Sequence, residues 1–370
     1  MIGKPIKACV VVGALVALLA GVVWSEELAA PQWWDPAPSV LYKYADGSEV
    51  VKLYVPADPL PAGMKVVVGA TFPHFKDPIW VSHNYGLAVE AARLGIQVYF
   101  QNPGGYTEIE RQVDIMENFV GQGMDAILLA SVSDTALVPI AEATQGEGTP
   151  VFVVANDLAV DAPLIQEKIV CTYDYIGESC GQYVLGKLPS GGSVALLPGP
   201  AGASWSEQTE QGFLRALQDR PDITVIATKW GETDKDIQRA LIENVLTAFP
   251  DVNYIVGNAL AVVSAADILS GWPSSKPRPK LVSTYYIPAV LDGIRGGTIE
   301  AVALEPVTLV EFIAANEIAK YFTGWYAAHG EQMPTHIVPL PSFGTAENIE
   351  SINWTWIAAP EDWEVHWTNL

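Results

Sequence analysis

Short apolar, β-branched runs alternate with helix-forming stretches along most of this chain, and that alternation restricts its fold more than any other feature. A strand buried on both faces reads as a continuous apolar run, and helices between successive strands imply parallel pairing. The first run, Val66-Val67-Val68, opens a strand predicted over 65–71. The following loop, 71–78, holds Pro73 and Pro78, which exclude a ladder strand there. A helix is predicted over 80–94, rich in Ala88, Ala91 and Ala92 and ended by Gly95. Strands at 97–101, 125–130 and 150–155 follow, with helices at 108–122 and 135–144. The rhythm falters from Asn156 to Lys168 and then resumes. The second series has strands at 169–172, 193–197, 224–229, 253–257, 280–284, 300–303 and 336–339, with helices between them.

Two such series in one chain predict an α/β protein of two Rossmann-like lobes, each a parallel sheet covered by helices and joined to the other by a hinge. The expected partition is lobe 1 over 63–157 and about 299–335, and lobe 2 over 158–298 and about 336–352. Ahead of the lobes, residues 26–62 form an extension in which Asp46-Gly47, between two β-rich runs, signals a hairpin. A tail over 353–370 carries Trp354, Trp356, Trp363 and Trp367, a density that points to packing or an interface.

At the amino end, Lys4 and Lys7 precede an apolar run of 16 residues, Ala8 to Val23, shorter than the roughly 18 a spanning helix needs. Small residues then lead to Glu26, so residues 1–25 read as a secretory signal peptide and a periplasmic address. Cys9 leaves with it. Cys171 and Cys180 remain, and in an oxidising compartment they either pair or stay as thiols. Acidic residues outnumber basic ones 42 to 20, for a net charge of −22, which argues against nucleic acid and anionic membrane surfaces as partners.

No catalytic motif is present: there is no G-x-S-x-G elbow, no Walker A sequence and no HExxH pair. Gly199-Pro200-Ala201-Gly202 lacks the Gly-Lys-Ser/Thr ending of a phosphate loop. The five histidines are scattered, and His74 reads as a solvated loop residue. The chain is therefore expected to be a binder without cofactor or metal. In open α/β sheets ligands sit at strand carboxyl ends. Here those ends supply Phe72, Phe75, Asp77 and Trp80, then Tyr106, then Asn156 and Asp157, then Tyr173, Trp205, Tyr285 and Tyr286. Aromatic faces beside a carboxylate suit a small methylated cation or a stacked sugar ring.

Lys76-Asp77 with Trp80, Asn84-Tyr85-Gly86, Glu90-Ala91-Ala92-Arg93, Gly104-Gly105-Tyr106, residues 126–129, Leu197-Pro198-Gly199-Pro200 and residues 210–213 together resemble the type I periplasmic binding proteins of the ribose-binding class. They resemble most closely its members that sense trimethylamine N-oxide. The resemblance implies capture of trimethylamine N-oxide or a related methylamine in the interlobe cleft and signalling to a membrane sensor histidine kinase. The alternative within the same fold is the substrate-binding subunit of a sugar-type transporter. Carried over by residue, the pocket would use Asp77, Trp80, Tyr106, Tyr173 and Tyr285. Trp80, Tyr106 and Tyr173 would cage methyl groups, and Asp77 would face the nitrogen. The sequence departs from that pattern at Ile79, Tyr173 and Trp205, where a Tyr, a Trp and a small residue would be expected.

Overall fold

Hydrogen-bonded pairing gathers the strands into two sheets, and the chain passes between them three times. The structure, a computed structural model, describes residues 34–160 and 164–368. The expected signal peptide, Trp33 and the last two tail residues lie outside it.

The first sheet has eight strands. Its parallel part comprises β3 (Val67–Thr71), β4 (Gln97–Gln101), β5 (Ala126–Leu129), β6 (Val151–Ala155) and β7 (Glu167–Val170). The strand β13 (His336–Pro339) extends it in parallel beside β7. The hairpin β1 (Ser39–Lys43) and β2 (Glu49–Leu53) then completes one edge, antiparallel to β13. The expected hairpin is present, and Gly47 at φ +81° makes its turn in the left-handed region. Helices α1 (Pro78–Leu94), α2 (Ile109–Gly121), α3 (Val138–Gly146) and α9 (Val307–Thr323) cover this sheet.

The second sheet has six strands: β8 (Gly192–Leu197), β9 (Ile223–Thr228), β10 (Tyr254–Gly257), β11 (Lys280–Ser283), β12 (Ala301–Leu304) and the antiparallel edge β14 (Ser342–Thr345). Its helices are α4 (Tyr173–Lys187), α5 (Ser204–Leu217), α6 (Lys235–Ala248), α7 (Ala259–Ser270) and α8 (Pro288–Arg295). A short α10 (Trp325–His329) follows α9.

The strands change sheets at places other than those expected. The strand read at 169–172 and assigned to lobe 2 pairs with β6 and β13 inside the first sheet. The strand at 300–303, expected with lobe 1, is β12 of the second sheet, and β13, expected with lobe 2, is in the first. A four-residue apolar strand reads the same in either sheet, because membership is set by non-local pairing. The crossings thus fall after Val170, after Leu304 and after Pro339.

The tail forms a strap rather than a free end. Asn84, fully buried on α1, donates to the His366 carbonyl and accepts from the His366 N–H and the Trp363 indole N–H. The Trp367 ring meets Phe75 edge-on at 5.3 Å, and Trp354 packs on Tyr286 at 4.8 Å. The strap so touches elements of both sheets.

Close backbone contact positions α4 against α5. A Cβ at Gly177 would lie 1.9 Å from the Thr209 carbonyl oxygen, and one at Gly212 would lie 1.9 Å from that of Asp174. These glycines let the helix starts bring Tyr173 and Trp205 together. Replacing Gly212 with Ala is expected to destabilise the protein by about 1–3 kcal/mol through overpacking, read as a lower urea midpoint. An unchanged midpoint would show that the helices separate freely.

Candidate functional site

The strand carboxyl ends of both sheets face one cavity. After strands of the first sheet come Asp77, Ile79, Trp80, His83, Tyr106, Asn156 and, at the start of α4, Tyr173; after strands of the second come Trp205, Thr209, Thr233, Thr284, Tyr285 and Glu305. Seven of the eight expected binding residues therefore meet. Asp157 does not: it pairs with Lys168 at 2.8 Å, and its backbone N–H donates to Ser204. Cys171 and Cys180, the expected candidates for a disulfide, are both free and buried. Cys171 directly follows β7 of the first sheet. Cys180 lies seven helical positions into α4, about 10 Å along its axis from Tyr173, where its thiol approaches the Ser283 carbonyl of the second sheet at 3.8 Å.

Each wall is built locally. Pro78 sits in the first turn of α1, where its missing N–H is not needed, and Asp77 caps that turn by accepting from the Ile79 N–H at 3.1 Å. The other Asp77 oxygen accepts the Tyr285 hydroxyl from across the cleft. Trp80 stacks on His83 at 4.6 Å and lies 5.6 Å from Phe72, so it belongs to the core as well as to the wall. Gly199, at φ +144°, lies under the Trp205 ring: a Cβ there would fall 2.4 Å from the ring edge. The glycine loop read against phosphate binding serves aromatic packing. Trp205 is the hub, with Tyr285, Tyr106 and Tyr173 centroids 6.0, 6.3 and 6.5 Å away.

The polar groups sort into those that are satisfied and those that face the cavity. The Tyr106 oxygen accepts from Trp205 Nε1 at 3.0 Å and Asn156 Nδ2 at 3.2 Å. Its own proton has no protein acceptor among the described residues and remains for a cavity occupant. The Thr284 hydroxyl is buried without a hydrogen-bond partner. Tyr173 lies 2.7 Å from Glu305 and 3.2 Å from the carbonyl oxygen of Ala155, a non-glycine residue at φ +57°. Such a backbone conformation is costly and concentrates at functional sites. Among the described residues, no Lys or Arg lines the cavity.

Burial governs the titrations. It raises Asp77 to about 6 against the opposing hydrogen bonds from Tyr285 and Ile79, and raises Glu305 to about 7 against that from Tyr173. Burial lowers His83 to about 3 and raises the pKa of Glu311, its partner at 2.8 Å. His74, expected in solvent, is 2% exposed and lowered to about 4, and it meets Thr233 of the opposite side at 3.2 Å. The loop folds inward because the second lobe lies over it. Glu305, Thr284 and His83 were not singled out from sequence. The signal for Glu305 was available, because it follows strand β12 as Asp77 follows β3.

Two mostly parallel sheets, three crossings between them and a shared cavity at the strand ends define a two-lobed α/β binding protein. A profile of the periplasmic binding protein domain matches residues 68–324, and the chain belongs to that family. It is 27% identical over 296 residues to the periplasmic protein TorT of Escherichia coli, covering 79% of this chain and 82% of that one. It is 23% identical over 188 residues to the ribose import binding protein RbsB of Bacillus subtilis, covering 51% and 60%. Among solved structures, an ABC transporter solute binding protein from a Bradyrhizobium species, with bound Bis-Tris, matches with a TM-score of 0.73 at 27% identity over 90% of this chain and 98% of that one. The complex of TorT with the TorS sensor domain, in the presence of TMAO, matches with a TM-score of 0.70 at 24% identity, covering 81% and 99%.

The raised carboxyl pKa values set a sign. A carboxyl that holds its proton more tightly when folded removes stability as pH rises from its unfolded value through its folded one. For Glu305 that range runs from 4.5 to about 7. The lowered His74 and His83 act oppositely, adding stability as pH rises toward 6.5. Glu305→Gln keeps an acceptor for Tyr173 and removes only the carboxyl share. Its gain in melting temperature over the parent protein is expected to be larger at about pH 8 than at about pH 5. Equal gains in melts at both values would place Glu305 in contact with water.

Proposed function

We propose that this chain is a periplasmic sensor that captures trimethylamine N-oxide or a related small methylated amine between its lobes. It then presents the closed shape to the periplasmic domain of a TorS-like sensor histidine kinase. The observation that carries this reading is the ring of Trp80, Tyr106, Tyr173, Trp205 and Tyr285 about a cavity that also holds Asp77. Aromatic faces attract methylated nitrogen, at roughly 0.5–2 kcal/mol per good contact. The free Tyr106 proton suits an N-oxide oxygen. The cavity itself is small, about 20 Å³ of room for the centre of a water molecule, the scale of one water. Any ligand must therefore displace lining side chains to enter.

The similarity to TorT supports the sensor role. A transporter subunit is the second reading, favoured by the likeness to ribose-binding and other solute-binding proteins. Against it stands the lining, in which, among the described residues, Asn156 is the sole carboxamide and no guanidinium is available to bond sugar hydroxyls.

Calorimetric titration of the purified protein with trimethylamine N-oxide is expected to give a dissociation constant on the order of micromolar. Tyr106→Phe is expected to weaken it about tenfold, by loss of one hydrogen bond. Saturable binding of ribose or allose with no response to any methylamine would replace the sensor reading with the transporter one. Retention of a TorS-like sensor domain on the immobilised protein, with a response to ligand, tests the partner.

A further inference from the structure

The fold solves one problem twice, and the two solutions differ by a charge. Away from the cleft, the Glu317 carboxylate is fully buried and accepts from Tyr54 and Tyr326 hydroxyls at 2.6 and 2.5 Å. Its counter-charge is Lys320, 2.8 Å away. The Lys320 ammonium sits over the rings of Tyr54, Trp325 and Tyr326, at 4.2, 4.8 and 5.7 Å from their centroids. This is an aromatic cage closed on a cation by the chain itself. Two further buried or half-buried carboxylates are matched likewise: Glu90 by Arg93 at 2.6 Å and Asp157 by Lys168 at 2.8 Å.

The cleft repeats the ingredients without the cation. Asp77 and Glu305 are 1% and 3% exposed and lie among five aromatic rings. The groups that face Asp77 are the Ile79 N–H on its own helix, the Tyr285 hydroxyl from the second sheet and Tyr106. Glu305 faces Tyr173 on α4, the Cys171 thiol, Tyr285 and, on α9, Glu311, itself bonded to neutral His83. None of these is a cation. The second Glu305 oxygen makes no hydrogen bond among the described residues.

We infer that the cleft takes its missing cation from the ligand, so that the preferred occupant is a methylated ammonium of net positive charge, held between Asp77 and Glu305. This rests on reading the cavity as a methylamine site and sharpens it, because an N-oxide carries no net charge and an acid would meet two carboxyls without a counter-ion. Glu305 stands where the chain leaves β12 for the other sheet, so the ligand's charge is read at a crossing between the lobes. The carboxyl pKa values, raised by burial to about 6 and about 7, agree with two acids that have hydrogen-bond donors but no counter-cation. A cation favours their ionised forms, so it displaces protons on binding, and its affinity rises with pH through that range.

The test is calorimetric titration of the full signal-free chain with tetramethylammonium, trimethylamine (protonated at neutral pH) and trimethylamine N-oxide, at about pH 5 and about pH 8. Both cations are expected to bind at least tenfold tighter than the N-oxide at the higher pH. They should weaken about tenfold at the lower one, the equivalent of one pKa unit. The heat should vary with the buffer's ionisation enthalpy, reporting released protons. Glu305→Gln is expected to weaken tetramethylammonium about tenfold and flatten its pH dependence; Asp77→Asn serves if that variant melts early. Tighter binding of the N-oxide than of either cation, or pH-independent cation affinity, overturns the inference and leaves the methylamine reading standing. Absence of heat with all three overturns both.

Discussion

Parallel pairing is the constraint on which the rest of this structure depends. Parallel strands cannot be joined by tight turns, so each needs a crossover, and all the carboxyl ends of a sheet come to one side. With two such sheets set end to end, every βα loop that carries a functional side chain opens on the same space. Asp77, Tyr106, Tyr173, Trp205, Tyr285 and Glu305 come from six different strand ends. No local sequence pattern unites them. The register of the sheets does.

Much of this was legible in the sequence, and the failures are physical ones. Every strand of the two parallel series was visible, because continuous β-branched runs flanked by helix formers have few other readings. The strand-end rule then assembled seven of the eight expected wall residues. It failed at Asp157, one residue past the end of β6 and next to Asn156, which does reach the cavity. A turn of the chain by one residue moves a side chain from the cleft to a half-buried ion pair, and nothing in composition records that turn. Sheet membership of the strands at 167–170, 301–304 and 336–339 was misread for a related reason. Pairing is decided by neighbours far away in sequence. His74 was read as solvated, because burial of a loop by the opposite lobe leaves no local signature.

Burial in this cleft also sets the electrostatic character of the site. Desolvation raises Asp77 and Glu305 and lowers His74 and His83 in a space rimmed by aromatic rings. The hydrogen bonds that cross it, Tyr285 to Asp77, Trp205 to Tyr106 and Thr233 with His74, join the sheets directly. A ligand that inserts there must replace some of these contacts. Occupancy and lobe geometry are therefore coupled through the same few side chains.

The pairing of β1 with β13 carries a consequence for how such a chain comes to be folded. The hairpin near the amino end finds its partner strand almost 300 residues later, through the register Val40 to Pro339. The strap on Asn84 lies later still, at Trp363 and His366. Neither the hairpin's place in the sheet nor the back of the helix that carries Asp77 and Trp80 is secured until nearly the whole chain has been made. A chain with its contacts so distributed pays loop closure late and folds slowly.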